Sequence, residues 1–504
     1  MTKQFAIHLF HGLNEMQKRI CIVGSGTSGL VAAIILKDHL PYHDVTVVSS
    51  EKIGIIGVGE GSTEHWRIFF QEKHNIPVDE MVQRCAATHK YGIRFEGWTN
   101  HTPDYFHSVS GGEIGPHHFA GNYAFAIENN MLLTNAMISH LYDNKIPLNK
   151  QSPHHAVNQF HFDTFKLNVY LKDVAQSKNV KFIDGEVHDI SRNAENGNIE
   201  SVILQNKTQV SADFFIDSSG FHRALMSKLI NDENDFCSYR KYLPCDSAAV
   251  FQTESDESGQ IRPYTRARAM PNGWMWEIPT QERRGNGYVF ASDFCSDEQA
   301  VKELSEAHGR DIEPARIIKF KSGYYKTAMA YNCAAVGLSS SFIEPLEATA
   351  IATSIQQARM LVSVVGAYVP GSQAVVAQHN KQTALLMENL VTMVAMHYIS
   401  DRVDTEMWRE QQNAEKPELL KTLMELWKER CPQIYDAPIF GYEVFHSAHF
   451  WHVAQGQGLI SREVATRELN AYDSREKAAR IFAELKTNAL KETLVDHASI
   501  FKKR

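Results

Sequence analysis

A glycine-rich turn near the start of the chain limits the fold more than any other feature. Arg19-Ile-Cys-Ile-Val23 is a short apolar run, Gly24-Ser-Gly26-Thr27-Ser28-Gly29 follows it, and Leu30 to Leu36 is wholly apolar. This pattern predicts a strand, a tight turn and a helix over Thr27 to Leu40, with a second strand at Asp44 to Val48. In such a βαβ unit the first glycine permits the turn. The second lets a pyrophosphate approach the backbone at the helix N-terminus, and the third lets helix and strand pack closely. Gly24, Gly26 and Gly29, with Thr27 and Ser28 between them, are therefore expected to bind a dinucleotide. The acid usually found about 20 residues on, against the ribose, is replaced by Ser49-Ser50, and Glu51 is the candidate in its place.

Composition removes whole classes of function. Lys plus Arg number 51 against 59 Asp plus Glu, a net charge of −8, and basic runs are short, as at Arg283-Arg284. Nucleic-acid and other polyanion partners are not expected. The seven cysteines are odd in number and never spaced C-x-x-C, which fits a reducing cytoplasm rather than a disulfide framework or zinc finger. Residues 1–18 read as an N-terminal extension without the features of a signal peptide. The longest apolar stretches, Leu30 to Leu36 and Leu361 to Val369, fall far short of the roughly 20 residues that span a bilayer. There are 24 histidines, but neither His117-His118 nor His154-His155 lies in a ligand spacing such as H-E-x-x-H, and no metal is expected.

The 504 residues show no fixed-period repeat and no Pro/Ser linker. The expected organisation is an interleaved cofactor domain over 19–354, with substrate-binding segments at about 95–160 and 230–330, then a mainly helical substrate-side region over 355–504. A helix is predicted from Asp163, as N-cap, to about Gln176, with strands at Val180 to Ile183, Val202 to Leu204, Gln209 to Val210 and Phe214 to Ile216. The last of these ends in Asp217-Ser-Ser-Gly220, an acid and glycine where FAD proteins often meet the cofactor a second time. That favours FAD over NAD. No second G-x-G-x-x-G precedes a helix, so electrons are expected from a separate flavin reductase.

Further segments bring a family into view. Trp274-Met-Trp276-Glu-Ile278-Pro279 with Gly285-Asn-Gly287-Tyr288-Val289, Phe320-Lys-Ser-Gly323-Tyr324, and Gly337 through Phe342-Ile-Glu344-Pro345-Leu346-Glu347-Ala-Thr349-Ala350 resemble, in order, the W-x-W-x-I-P, F-x-S-G-Y and F-x-E-P-L-E-S-T stretches of flavin-dependent halogenases of the tryptophan-halogenase family. Gly57-Val-Gly59-Glu60, Tyr105-Phe-His107 and Phe160-His161-Phe-Asp163 extend the resemblance from about residue 19 to about 460. It implies an α/β fold, a Rossmann-like FAD domain of the glutathione-reductase type with interleaved substrate segments and a helical C-terminal part. It also implies an enzyme that uses FADH2, O2 and halide on a small electron-rich aromatic substrate. Gly57, Gly59, Glu60, Asp217, Gly220, Gly337 and Ile351 join the cofactor residues. Thr88-His-Lys90-Tyr-Gly-Ile-Arg94 nominates Lys90 to receive hypohalous acid, and Glu347 is nominated as general base. Thr349 and Ala350 match the halide-binding stretch. His107, Trp274, Trp276, Phe450 and Trp451 match the substrate side, the two tryptophans as a wall that keeps substrate from flavin.

Departures from the family pattern mark where the resemblance thins. Ala348 and Ala350 stand where Ser-Thr and often glycine are usual, Ser108 replaces a proline, and His449 replaces the serine before Phe450-Trp451. No clamp for a free amino acid is visible around His446 to Leu459, so bromination or iodination of an uncharged indole or phenol is expected over chlorination of free tryptophan. A flavin monooxygenase of the same fold and a flavin-binding protein without turnover are the competing readings; homo-oligomer formation is left open.

Overall fold

The computed structural model describes residues 17–55, 57, 60–108, 119–131, 135–148, 154, 157, 159–254, 259–472 and 474–501. The predicted βαβ unit is present as β1 (Arg19–Val23), α1 (Thr27–His39) and β2 (Asp44–Ser49). These strands lie at the centre of a six-stranded sheet in the order 329–330, 333–335, 214–217, β1, β2, 181–184. All pairs are parallel except the edge pair Met329–Ala330 with Cys333–Ala335. Ile20 stands opposite Phe214 on one side and Val45 on the other. Every residue of α1 from Gly29 to Leu36 is buried, because the helix is covered by the sheet and by α2 (Thr164–Ser177) and α3 (Thr349–Ala367). A helix apolar on all sides demands such enclosure.

Asp163 caps α2 as its sequence predicts, one carboxylate oxygen accepting the N–H groups of Phe165 and Lys166 at 3.1 Å. Its other oxygen pairs with Arg283. That arginine begins the strand Arg283–Phe290 of a second, seven-stranded sheet, ordered 316–319, 247–254, 283–290, 273–279, 265–270, 93–96, 104–107. Only Ile93–Glu96 with Thr265–Met270 is parallel there. A three-stranded ribbon of Glu60–Gly61, Phe160–Phe162 and Thr88–His89 bridges the two sheets. The chain passes from the ribbon at His89 to the seven-stranded sheet at Ile93, so Lys90 sits in the joint.

Beyond α3 the chain is helical as expected, with α4 (Gln373–His397) and α5 (Ser447–Gly456) closest to the joint. One element departs from that reading. Leu494–Asp496 forms a strand against Lys145–Pro147, a three-residue pairing too short to show alternation in sequence. No described helix is long and apolar enough to cross a membrane. Asp163→Ala removes a helix cap and a charge partner together. It is expected to cost about 2 kcal/mol, read as a shift in the urea unfolding midpoint at unchanged slope.

Candidate active site

At the glycine turn, space and conformation decide residue identity. Gly24 has φ +109°, and a Cβ there would lie 2.2 Å from the Ser218 carbonyl oxygen; a Cβ on Gly29 would lie 2.1 Å from that of Gly24. A Cβ on Gly26, the N-cap of α1, would meet nothing within 4 Å. The helix N-terminus has no side-chain cap, so backbone N–H groups and dipole face open space, which suits a pyrophosphate. Ser28 links this turn to Ser218 through a 2.8 Å hydroxyl hydrogen bond. Gly337, at φ +62°, is held so close that a Cβ would lie 2.5 Å from Ser28 Oγ. Thr27 opens α1 beside Gly26.

The other nominated cofactor residues divide. Glu51 is exposed at the end of β2, its N–H donated to Asp184, and its carboxylate is available to a ribose. Asp217 is not available in that sense. Its buried carboxylate accepts from the Ser219 N–H and hydroxyl and from the N–H groups of Leu225 and Met226. Its contribution is to build the turn that presents Gly220, where a Cβ would again meet nothing. Gly57 passes the start of α2 with room for no side chain, a Cβ falling 2.5 Å from Thr164 Cγ2. Glu60 has a buried, unpartnered Oε2 and a carboxyl pushed up by burial to about 7, Ile351 is buried on α3, and Gly59 lies outside the described residues. An open cradle and an orphaned carboxyl oxygen fit a bound dinucleotide.

Lys90 is completely buried. Its backbone N–H pairs with Gln159 O at 3.0 Å and its Nζ donates to Ser62 O at 2.9 Å. Gly61 lies between Nζ and Ala348. A Cβ on Gly61 would be 3.3 Å from the amine and 3.4 Å from Ala348 Cβ. Burial lowers the Lys90 pKa to about 7, against the pull of Glu347. The amine is thus poised between ammonium and free base near neutrality.

Glu347, also without solvent exposure, is the centre of a hydrogen-bonded network. His107 Nδ1 lies 2.9 Å from both carboxylate oxygens, and His397 Nε2 lies 2.6 Å from Oε1. A carboxylate only accepts, so both imidazoles donate. His397 then uses Nδ1 to accept from the Tyr105 hydroxyl at 2.7 Å. Burial opposes ionisation of Glu347, but His107 and His397 overcome it and hold the carboxyl far below the usual range. On the far side of His107, Nε2 meets His449 Nδ1 at 3.1 Å. His107, expected to line the substrate pocket, is therefore the principal partner of Glu347. His397 and His449, which the motifs do not nominate as site residues, complete the network.

Glu347 ends the short 3₁₀ turn Pro345–Glu347, and Ala348 has φ +54° before α3 begins at Thr349. The left-handed conformation that favours glycine thus falls on Ala348 and not on Ala350, which sits in the helix with its N–H intact. For a residue with a Cβ this costs roughly 1 kcal/mol. The α3 N-terminus has no side-chain cap, Thr349 is buried and Ala350 is exposed. Uncapped N–H groups of a 19-residue helix suit an anion.

Trp274 and Trp276 share one strand face, ring centroids 6.0 Å apart. The Trp274 indole N–H donates to Glu344 at 2.7 Å. Trp276 lies so flat on the neighbouring strand that a Cβ at Gly287 would be 2.0 Å from Cη2, which accounts for that glycine. Phe450 and Trp451 are wholly buried in the core, Trp451 O accepting from Tyr123. At about 100° per residue, α5 turns His449 toward the Glu347 network and those two aromatics into the packing behind it.

The buried lysine should be legible in stability. Unfolded, it titrates near 10.5, and folded near 7, so between these values the unfolded chain holds the extra proton. Its burial costs stability at pH 7, and that cost fades as pH rises toward 10. Lys90→Met is expected to exceed the native chain in unfolding free energy by about 2 kcal/mol at pH 7. The advantage should shrink in urea titrations repeated at higher pH.

Comparison with known proteins agrees with this geometry. The family model described as tryptophan halogenase matches residues 19–472. Tryptophan 6-halogenase SttH of Streptomyces toxytricini is 31% identical over 449 residues, covering 82% of this chain and 84% of its own. Among solved structures, Tar14, a tryptophan C-6 flavin-dependent halogenase from taromycin biosynthesis, has a TM-score of 0.87 at 27% identity, over 96% of this chain and 99% of its own. BrvH, a flavin-dependent halogenase from Brevundimonas sp. BAL3, has a TM-score of 0.78 at 27% identity, over 95% and 98%. The chain belongs to the tryptophan halogenase family of flavin-dependent enzymes.

Proposed function

We propose that this enzyme works in two components, taking FADH2 from a separate reductase and halogenating an electron-rich indole or phenol through Lys90. The observation that carries this reading is the wholly buried Lys90 amine beside Ala348, next to both Glu347 and the uncapped start of α3. Reduced flavin, when bound at the glycine turn, supplies with O2 the oxidant that converts halide to hypohalous acid. Thr349 and Ala350 offer backbone N–H groups to the halide. As ammonium, Lys90 hydrogen-bonds the oxygen of hypohalous acid and gives it a proton as the oxygen–halogen bond breaks, so that water leaves while the halogen goes to the ring carbon. Glu347 takes the ring proton, which replaces the one that Lys90 gave up.

A carboxylate held far below its ordinary pKa is a weak base, yet a ring carrying both halogen and proton is a strong acid, so a weak base suffices. The same donors keep Glu347 ionised throughout the working pH range. With His107 on both oxygens and His397 on Oε1, Oε2 keeps a lone pair for that proton. Trp274 and Trp276 form the wall between substrate and flavin.

Purified enzyme is expected to bind FAD but to consume NADH or NADPH negligibly until a flavin reductase is added; rapid consumption by the chain alone would refute the two-component reading. Lys90→Ala should abolish halogenated product while flavin oxidation continues. Glu347→Gln should lower turnover about 10²- to 10⁴-fold with FAD affinity intact. Equal loss of FAD binding would make Glu347 a structural residue only.

Substrate and halide choice follow from the helix α5 side. On the way into α5, the segment 434–439 exposes Ile434, Tyr435 and Ile439, and its one charged residue, Asp436, is paired with Arg430. It leaves no free charge for a free amino acid's ammonium and carboxylate, which favours an uncharged ring. Ala348 and Ala350 give the halide no added hydroxyl donor, so the more easily desolvated and oxidised bromide and iodide should win. Mixed-halide competition between an uncharged indole and free tryptophan is expected to give brominated or iodinated indole. Chlorotryptophan as the main product would overturn this assignment.

A further inference from the structure

The chain of contacts that starts at Glu347 does not stop at His449. His449 is 1% exposed, and its Nε2 is buried without a hydrogen-bond partner. That nitrogen points toward Glu64 Oε1, 3.8 Å away, and His446 Nε2 approaches the same oxygen at 3.5 Å. Both separations are too long for good hydrogen bonds. The three ligand atoms lie within 4.8 Å of one another. Glu64 comes from the turn after the ribbon strand Glu60–Gly61, while His446 is the N-cap of α5 and His449 lies in its first turn. Among the described residues these two histidines are the only ion-pair partners of Glu64.

Tautomers sharpen the point. Glu347 requires the N–H of His107 on Nδ1, so neutral His107 presents a lone pair at Nε2. His449 Nδ1, 3.1 Å away, must then carry its own proton and donate it. Neutral His449 is left with a bare lone pair at Nε2, facing the carboxylate of Glu64. Two lone pairs directed at one another in a buried place repel, and a cation between them removes the conflict.

We propose that Glu64, His446 and His449 form a site for a divalent transition metal, with zinc the preferred ion. Two imidazoles and one carboxylate, with a fourth position left to water, are a familiar zinc donor set. Tetrahedral bonds of about 2.0–2.1 Å put ligand atoms about 3.3 Å apart, so the two Glu64 spacings of 3.5 and 3.8 Å close by a few tenths of an ångström, and the pair of histidine nitrogens, within 4.8 Å, closes by at most about 1.5 Å through rotation of the exposed His446 ring. His446 is 44% exposed, which gives the ion an entry path, and His107 is the partner that a metal-bound imidazole needs on its other nitrogen. The metal would fix the His449 tautomer and, through it, the direction in which His107 donates to Glu347. The sequence expectation of no metal was drawn from adjacent histidine pairs. Here the ligands come from opposite ends of the chain.

Full-length protein stripped with a chelator and titrated with Zn²⁺ should bind one equivalent, and its melting temperature should rise with free zinc. Co²⁺ in its place should give visible absorption of tetrahedral intensity. Glu64→Gln and His446→Ala should each weaken binding at least about 10-fold and remove the melting shift, whereas the exposed His188→Ala should not. His446 lies at the surface, so its variant tests the site even if His449→Ala fails to fold. Absence of stoichiometric binding, or binding unchanged in both ligand variants, would overturn the assignment.

Discussion

A carboxylate sealed from water keeps its charge only if donors replace the water, and Glu347 has two, His107 and His397. The effective penalty of burying such an ion is several kcal/mol, so the donors have to be placed well. Their placement ties the molecule together. His107 ends an edge strand of the seven-stranded sheet, His397 is the last residue of α4, and Glu347 itself immediately precedes α3 and its Ala348 hinge. One charge therefore fixes the relative positions of the sheet, two long helices and the turn at the start of α3.

Lys90 experiences the same burial with the opposite result. Desolvation disfavours the charged form of both groups, but Glu347 is answered by two imidazoles and Lys90 by a single carbonyl, Ser62 O. The carboxyl is held far down and the amine falls to about 7. Environments that drive neighbouring titratable groups apart in this way separate the donor's role from the acceptor's. The cost appears as lost stability at Lys90.

How much of this was legible in sequence depended on whether a local rule was at stake. Gly24, Gly26 and Gly29 fall in one short run where a strand gives way to a helix, and Asp163 just before the first turn of its own helix, so pattern alone located them. Asp217 was found but its work was not: its carboxylate folds the turn to Met226, a fact of neighbouring backbone geometry with no periodic signature. His397 carried no usable signal, and His449 stood out only as a departure from the family pattern. A histidine closing a helix reads as a companion of the helix dipole, and a histidine in an apolar first turn reads as core. Their partners lie 50 and 342 residues away, and only the fold brings those distances to hydrogen-bond length.

The turn Glu344-Pro345-Leu346-Glu347 shows why Trp274 and Glu347 belong to one structure. Glu344 accepts from Trp274 and from Tyr398, while Glu347 accepts from His397, the residue just before Tyr398. Two adjacent side chains at the end of α4 thus clamp two glutamates three residues apart. Burial pushes Glu344 up to about 7, against the Trp274 and Tyr398 donors, because two neutral donors share one of its oxygens and the other has no partner. Trp274 is anchored by the less ionised acid, and the two histidines by the more ionised one. Any shift of the α4 end that loosened His397 from Glu347 would also pull Tyr398 from Glu344, the acid that holds Trp274. Trp274 and Glu347 are therefore held in register by the same helix end.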